Sequence, residues 1–139
     1  MPLIDTHAHL DFETFQEDFD GVLERAADHG VERIVTIGAS DGLDSAERAV
    51  ELAADHEQLR ATAGIHPHDA DIFDDDALET LRRDYANHGQ VVAIGETGLD
   101  YHYDNATVAN QKASFRAHLE LANEVDKPVV IHSREADED

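Results

Sequence analysis

The sequence contains no cysteine in its 139 residues, which excludes a disulfide framework and a thiolate metal site. Any metal must therefore be held by His, Asp or Glu. Bases are scarce: 10 Lys and Arg stand against 32 Asp and Glu, for a net charge of −22. That balance argues against a basic nucleic-acid module, whose footprint is a Lys/Arg patch. No apolar run approaches the ~20 residues of a membrane span. The opening Met1-Pro2-Leu3-Ile4-Asp5 lacks the basic-then-apolar order of a signal peptide, so a cytoplasmic location is expected. No repeat, low-complexity segment or interdomain linker interrupts the chain, and its length predicts a single domain over residues 1–139.

Hydrophobic residues are 41% of the chain, and they recur as ordered segments with the acids between them, a pattern that resists disorder. A solvated acidic surface working at high salt accounts for the charge, because at ~1 M salt the screening length falls to ~3 Å. Halophilic proteins carry such surfaces. The runs Asp74–Asp76 and Glu135–Asp139 read as solvated loop and tail.

Strand-like and helix-like segments alternate along the chain. Leu3–His7 is a short apolar opening. Phe19, Val22, Leu23, Ala26 and Ala27 then lie on one face of a helix, with Gly30 placed for its C-terminus. Ile34–Gly38 is β-branched and short, as a buried strand is. Leu43, Ala46, Val50 and Ala53 mark another helix, and Leu59–Ile65 another strand. Leu78, Leu81 and Tyr85 give a short helix and Val91–Ile94 a strand. A long helix over Val108–Val125 presents Phe115, Leu119 and Ala122, and Pro128–His132 is a fifth strand. Apolar strands alternating with amphipathic helices imply a parallel sheet covered by helices, as in doubly wound sheets and (β/α)8 barrels.

Polar residues gather where these strands end: His7-Ala8-His9, His66-Pro67-His68, Gly95-Glu96-Thr97-Gly98-Leu99-Asp100 and His132-Ser133-Arg134. Parallel α/β folds bind ligands at that end of the sheet. His7 and His9, two apart in a strand, point to one face and can share an ion. Ten His in the chain make about 0.7 His-x-His pairs by chance, so the spacing alone favours a solvated pair at a strand exit over a shared ion. Glu96 follows a strand too apolar to carry a charge idly. It is either a buried carboxylate with a metal or a partner, or one emerging into solvent. His132 repeats the placement after Val129-Val130-Ile131, as a metal ligand or as a half-buried His with its bonds satisfied.

Taken together, Ile4-Asp5-Thr6-His7-Ala8-His9-Leu10-Asp11, Gly64-Ile65-His66-Pro67-His68, Gly95-Glu96-Thr97-Gly98-Leu99-Asp100-Tyr101 and Val130-Ile131-His132-Ser133-Arg134 resemble the TatD family of metal-dependent deoxyribonucleases, in that family's order and spacing. Gln111, Phe115, Leu119 and Ala122 match its helix before the fifth strand. The resemblance implies an amidohydrolase-like (β/α)8 TIM barrel, of which about five of the eight β/α units are present. It implies two divalent metal ions, Mg²⁺, Mn²⁺ or Zn²⁺, with His7 and His9 on one, Glu96 bridging and His132 on the other. Glu96 is thereby the catalytic carboxylate, His66 lines the substrate pocket and Arg134 faces the substrate phosphate. Asp5, Asp100 and Tyr101 orient those groups or close the loop. The implied activity is phosphodiester hydrolysis of DNA, exonucleolytic, by a water activated between the two metals. Family members run on through three more strands that carry a further His and Asp, and a barrel without them exposes two sheet edges, favouring self-association. Two alternatives follow: a catalytically silent fragment that folds only as an assembly, or a related amidohydrolase acting on an amide or ester. Against the latter, Glu96 stands where some amidohydrolases place a bridging lysine, and neither Lys112 nor Lys127 lies at a strand end.

Overall fold

The computed structural model describes residues 1–139. Its strands are β1 (Leu3–Ala8), β2 (Val31–Thr36), β3 (Ser40–Asp41, a two-residue extended stretch), β4 (Leu59–Ala63), β5 (Val91–Asp100) and β6 (Val129–Arg134). Its helices are α1 (Glu13–Gln16), α2 (Phe19–Asp28), α3 (Gly42–Asp55), α4 (Asp75–Thr80) and α5 (Val108–Glu124), with a 3-10 helix over Pro67–Ile72 and a wide helical turn over Leu81–Ala86. The sheet runs β1-β2-β4-β5-β6, and every neighbouring pair is parallel. Each crossover carries helix, as parallel pairing requires. β1 and β6 are its two unpaired edges. No helix is long and apolar enough to cross a membrane.

The core lies between the sheet and its helices and is built on Leu59, Leu81, Ile94 and Leu121, each fully buried. Burial of such a side chain contributes roughly 1.5–3 kcal/mol. On α3 the buried positions Ala46, Ala49 and Ala53 are small, which lets the helix lie close on the sheet.

All five strand segments expected from sequence are present, with shifted bounds. The second begins earlier, at Val31, and β5 runs six residues past Ile94, through Glu96 to Asp100. The apolar face expected for α5 is buried in part: Ala122 is buried and Phe115 half-buried. Leu119 is 41% exposed, while Gln111, Ser114, His118, Leu121 and Ala122 are buried. The reason is hydrogen bonding: the face turned to the sheet carries polar side chains that secure the strand-end loops. The Gln111 amide accepts from the Asp100 N–H at 2.8 Å and donates to the Asp100 and Ala106 carbonyls at 3.0 Å. The His118 Nδ1–H donates to the Ser114 carbonyl at 2.7 Å, and its Nε2 accepts from the Ile65 N–H at 3.0 Å. Burial pushes the His118 pKa down, so the ring is held neutral and tied to the residue before His66.

Sheet register slips where the polar residues begin, between Asp5 and Ala8 in β1 and between Ile94 and Thr97 in β5. Such irregularities re-aim side chains at the rim of a sheet. Two glycines in β5 have positive φ, Gly95 at 127° and Gly98 at 142°. A Cβ on Gly98 would stand 2.1 Å from the His132 carbonyl oxygen, and one on Gly95 2.5 Å from that of Val130. Glycine at both positions lets β5 lie against β6 this closely.

Candidate metal centre

At the C-terminal ends of β1, β4, β5 and β6 a cleft of about 280 Å³ is lined by His7, His9, Ser40, His66, His68, Glu96 and His132. A larger cleft of about 880 Å³ lies away from this end, among α1, α2 and α3, walled by acids such as Asp18, Asp20 and Glu51. Convergence of donor atoms, rather than size, distinguishes the first.

Glu96 is the centre of the cluster. It is buried, and its two oxygens face opposite ways: Oε2 is 3.3 Å from His7 Nε2 and Oε1 is 3.1 Å from His132 Nδ1. Ligand atoms of His7, His9 and Glu96 all lie within 4.8 Å of one another, and so do those of His66, Glu96 and His132. His9 is steadied by Ser40, whose Oγ is 2.9 Å from Nδ1, and the His7 N–H donates to Asp5 Oδ1 at 3.0 Å.

Asp100 sets the protonation pattern of this cluster. Its side chain is fully buried and accepts four hydrogen bonds. Oδ1 takes the N–H groups of His102 and Tyr103, each at 3.0 Å. Oδ2 takes His68 Nε2–H at 2.7 Å and His132 Nε2–H at 2.9 Å. Burial would raise its pKa, but the bonds from Tyr103, His68, His132 and His102 outweigh it and hold the carboxyl well below the usual range. With Nε2 given to that carboxylate, Nδ1 is the His132 nitrogen that faces Glu96 Oε1. Those two atoms, 3.1 Å apart, can share a proton or a metal cation. With imidazole and carboxylate donors, that cation fits a divalent first-row metal, and the carboxylate–His–metal arrangement is the usual way such a ligand is oriented. The donor set thus fits a metal, which His7, His9 and Glu96 would hold on one side and Glu96 and His132 on the other.

His66 differs from its neighbours. Its Nδ1 accepts from the His68 N–H at 3.2 Å, so in the neutral ring Nε2 carries the proton, 3.2 Å from His132 Nδ1. Burial is the largest influence on its pKa, which is lowered to about 4 despite the opposing charges of Glu96 and Asp100. That N–H is directed at His132 Nδ1, the same nitrogen that faces Glu96.

Of the residues singled out from sequence, His7, His9, His66, Glu96 and His132 meet in the cleft and Asp100 underlies it. Arg134 stands one ring away, its guanidinium 4.7 Å above the Tyr103 ring. Tyr101 turns elsewhere, its hydroxyl donating to Asp139 at 2.9 Å. Sequence reasoning left His68 without a role, although its spacing from His66 repeats that of His9 from His7. It passed over His118, whose only signal is a polar residue inside a helix that otherwise packs.

Comparison with known proteins gives one consistent answer. The family described as TatD related DNase matches residues 4–139. The metal-dependent hydrolase YabD of Bacillus subtilis is 42% identical over 137 residues, which is 99% of this chain and 52% of that protein. The 3'-5' ssDNA/RNA exonuclease TatD of Cronobacter sakazakii is 37% identical over 134 residues, 96% of this chain and 50% of its own length. The crystal structure of YJJV, a TatD homologue from Escherichia coli K12, superposes with a TM-score of 0.86 at 33% identity, covering 98% of this chain and 52% of that one. The chain spans about half the length of the curated relatives it matches. Its five parallel strands form a curled half of a TIM-type barrel.

Proposed function

The chain belongs to the TatD-related DNase family, and from that premise we propose that it serves a divalent-metal-dependent hydrolase that cleaves phosphodiester bonds of DNA, exonucleolytically, around Glu96. The observation that carries this reading is the Glu96 carboxylate, with one oxygen 3.3 Å from His7 and the other 3.1 Å from His132. A carboxylate so placed suits a bridge between two cations. Bound ions supply Lewis-acid polarisation of the phosphoryl group and a lowered pKa for water.

The protein's own side chains do the rest. Asp100 fixes the His132 ring so that its Nδ1 faces the cleft. Once His132 Nδ1 is taken up by an ion, the Nε2–H of His66 would be free to donate a hydrogen bond to a non-bridging phosphate oxygen. Burial of Glu96 keeps competing water away from its oxygens. The relative named a ssDNA/RNA exonuclease supports a nucleic-acid substrate, and of Mg²⁺, Mn²⁺ and Zn²⁺ the imidazole-rich donor set suits Zn²⁺ best and Mg²⁺, which prefers oxygen ligands, least.

Calorimetric titration with Mn²⁺ tests the reading directly. The wild-type chain is expected to bind at micromolar metal, and Glu96→Ala to lose that binding together with any EDTA-sensitive cleavage of an oligonucleotide. Undiminished metal binding by Glu96→Ala would remove the bridge and the reading with it.

A further inference from the structure

A nucleic-acid substrate poses a problem for a surface carrying −22, because most proteins draw their affinity from Lys and Arg neutralising phosphates. Here almost every base is committed. All Lys and Arg except Arg116 and Arg134 are held by a carboxylate or a backbone carbonyl. Arg116 lies in the groove along α5 with Lys112 and Glu120, away from the cleft. Arg134 alone stands at the strand ends, and it is stacked on Tyr103.

What the strand-end face does offer is exposed aromatic surface on both flanks. Phe12 is 45% exposed and its ring stacks on His9, with centroids 5.2 Å apart and planes at 24°. Tyr103 is 44% exposed, meets His68 edge-on at 5.3 Å and carries the Arg134 guanidinium at 4.7 Å. The rings make two runs joined by Glu96: Phe12, His9 and His7 on one side, and His132, His66, His68 and Tyr103 on the other.

Resting on the nuclease reading above, we infer that Phe12 and the Tyr103–Arg134 pair are stacking platforms for unpaired nucleobases on either side of the metal cleft, and that they rather than phosphate neutralisation supply the affinity for a single strand. Every base has a π face, so such platforms are tolerant of sequence, and a planar guanidinium stacks as an aromatic ring does. A duplex keeps its bases stacked on one another and offers these platforms nothing. Stacking also survives salt, which ion pairing with phosphate does not.

Fluorescence anisotropy with a 5'-labelled, phosphorothioate oligo-dT, in Mn²⁺ and across a KCl series, reads this out. The wild-type chain is expected to bind with a slope of log affinity against log salt near −0.7, the contribution of about one phosphate contact to a single strand. Phe12→Ala and Tyr103→Ala should each weaken binding about five- to 150-fold, the range for loss of one stacked base. Phe12→Trp and Tyr103→Trp should restore it, and an abasic strand of the same length, which can use neither platform, should bind the wild type more weakly than either Ala variant binds oligo-dT. A wild type that binds oligo-dT while both Ala variants match it, or a slope several times steeper, overturns the stacking assignment and leaves the nuclease reading standing. A wild type that binds Mn²⁺ but no oligonucleotide at any salt overturns both.

Discussion

Asp100 illustrates how one buried carboxylate can govern a cluster it does not complete. Four donors converge on it, and by holding Nε2–H of His132 it decides which nitrogen of that ring faces Glu96. Asp100→Asn presents an amide that can donate where the carboxylate only accepted, which favours the wrong tautomer of His132. Affinity for Mn²⁺, measured by calorimetry, is expected to fall about 10–100-fold, as for other groups that orient a metal-binding His. A merely structural Asp100 would instead lower the melting temperature and leave the affinity of the folded protein unchanged. His7, His9, Glu96 and His132 stood out in the sequence jointly, because each follows an apolar segment, and for Glu96 because a carboxylate there is costly to bury without a partner. His118 and Gln111 were not. Their value lies in which backbone N–H or carbonyl comes within reach, and that is fixed only by packing.

Among the elements, β5 positions the most chemistry, carrying Glu96 and Asp100 on one continuous strand. Apolar content identified only its first four residues, since Gly95-Glu96-Thr97-Gly98 reads as a loop by propensity. Pairing with β6 overrides propensity there, aligning Thr97 with Ile131 and Asp100 with Arg134. The strand order and the helical crossovers were readable because their periodicities are long. The buried face of α5 was readable at Ala122 but not at Leu119, because the hydrogen-bonding Gln111, Ser114 and His118 also turn to the sheet. Gly98→Ala tests the close approach. A Cβ 2.1 Å from the His132 carbonyl, on a residue at φ 142°, combines overpacking with backbone strain. Together these cost roughly 2–6 kcal/mol, to be read as a lowered urea midpoint. Because the shift would move β6 away from β5, metal affinity should decline in the same variant.

At the level of the whole molecule, 32 acids against 10 bases leave most carboxylates without a partner, and surface ion pairs of the kind seen here contribute only about 0–1 kcal/mol each. Mutual repulsion should therefore dominate in dilute buffer and fade as the screening length shortens to ~3 Å near 1 M salt. Thermal unfolding followed by circular dichroism is expected to show the melting temperature climbing by several degrees from dilute buffer to molar KCl. A flat or falling curve would show that the acidic surface is no adaptation to salt. The sheet begins at β1 with His7 and closes at β6 with His132, its two outermost strands, and Glu96 reaches both. An ion held by Glu96 together with His7 and His132 would draw ligands from both margins at once. Loading would then act as a clasp on the whole curl, stabilising the strands between the margins along with the ligands themselves.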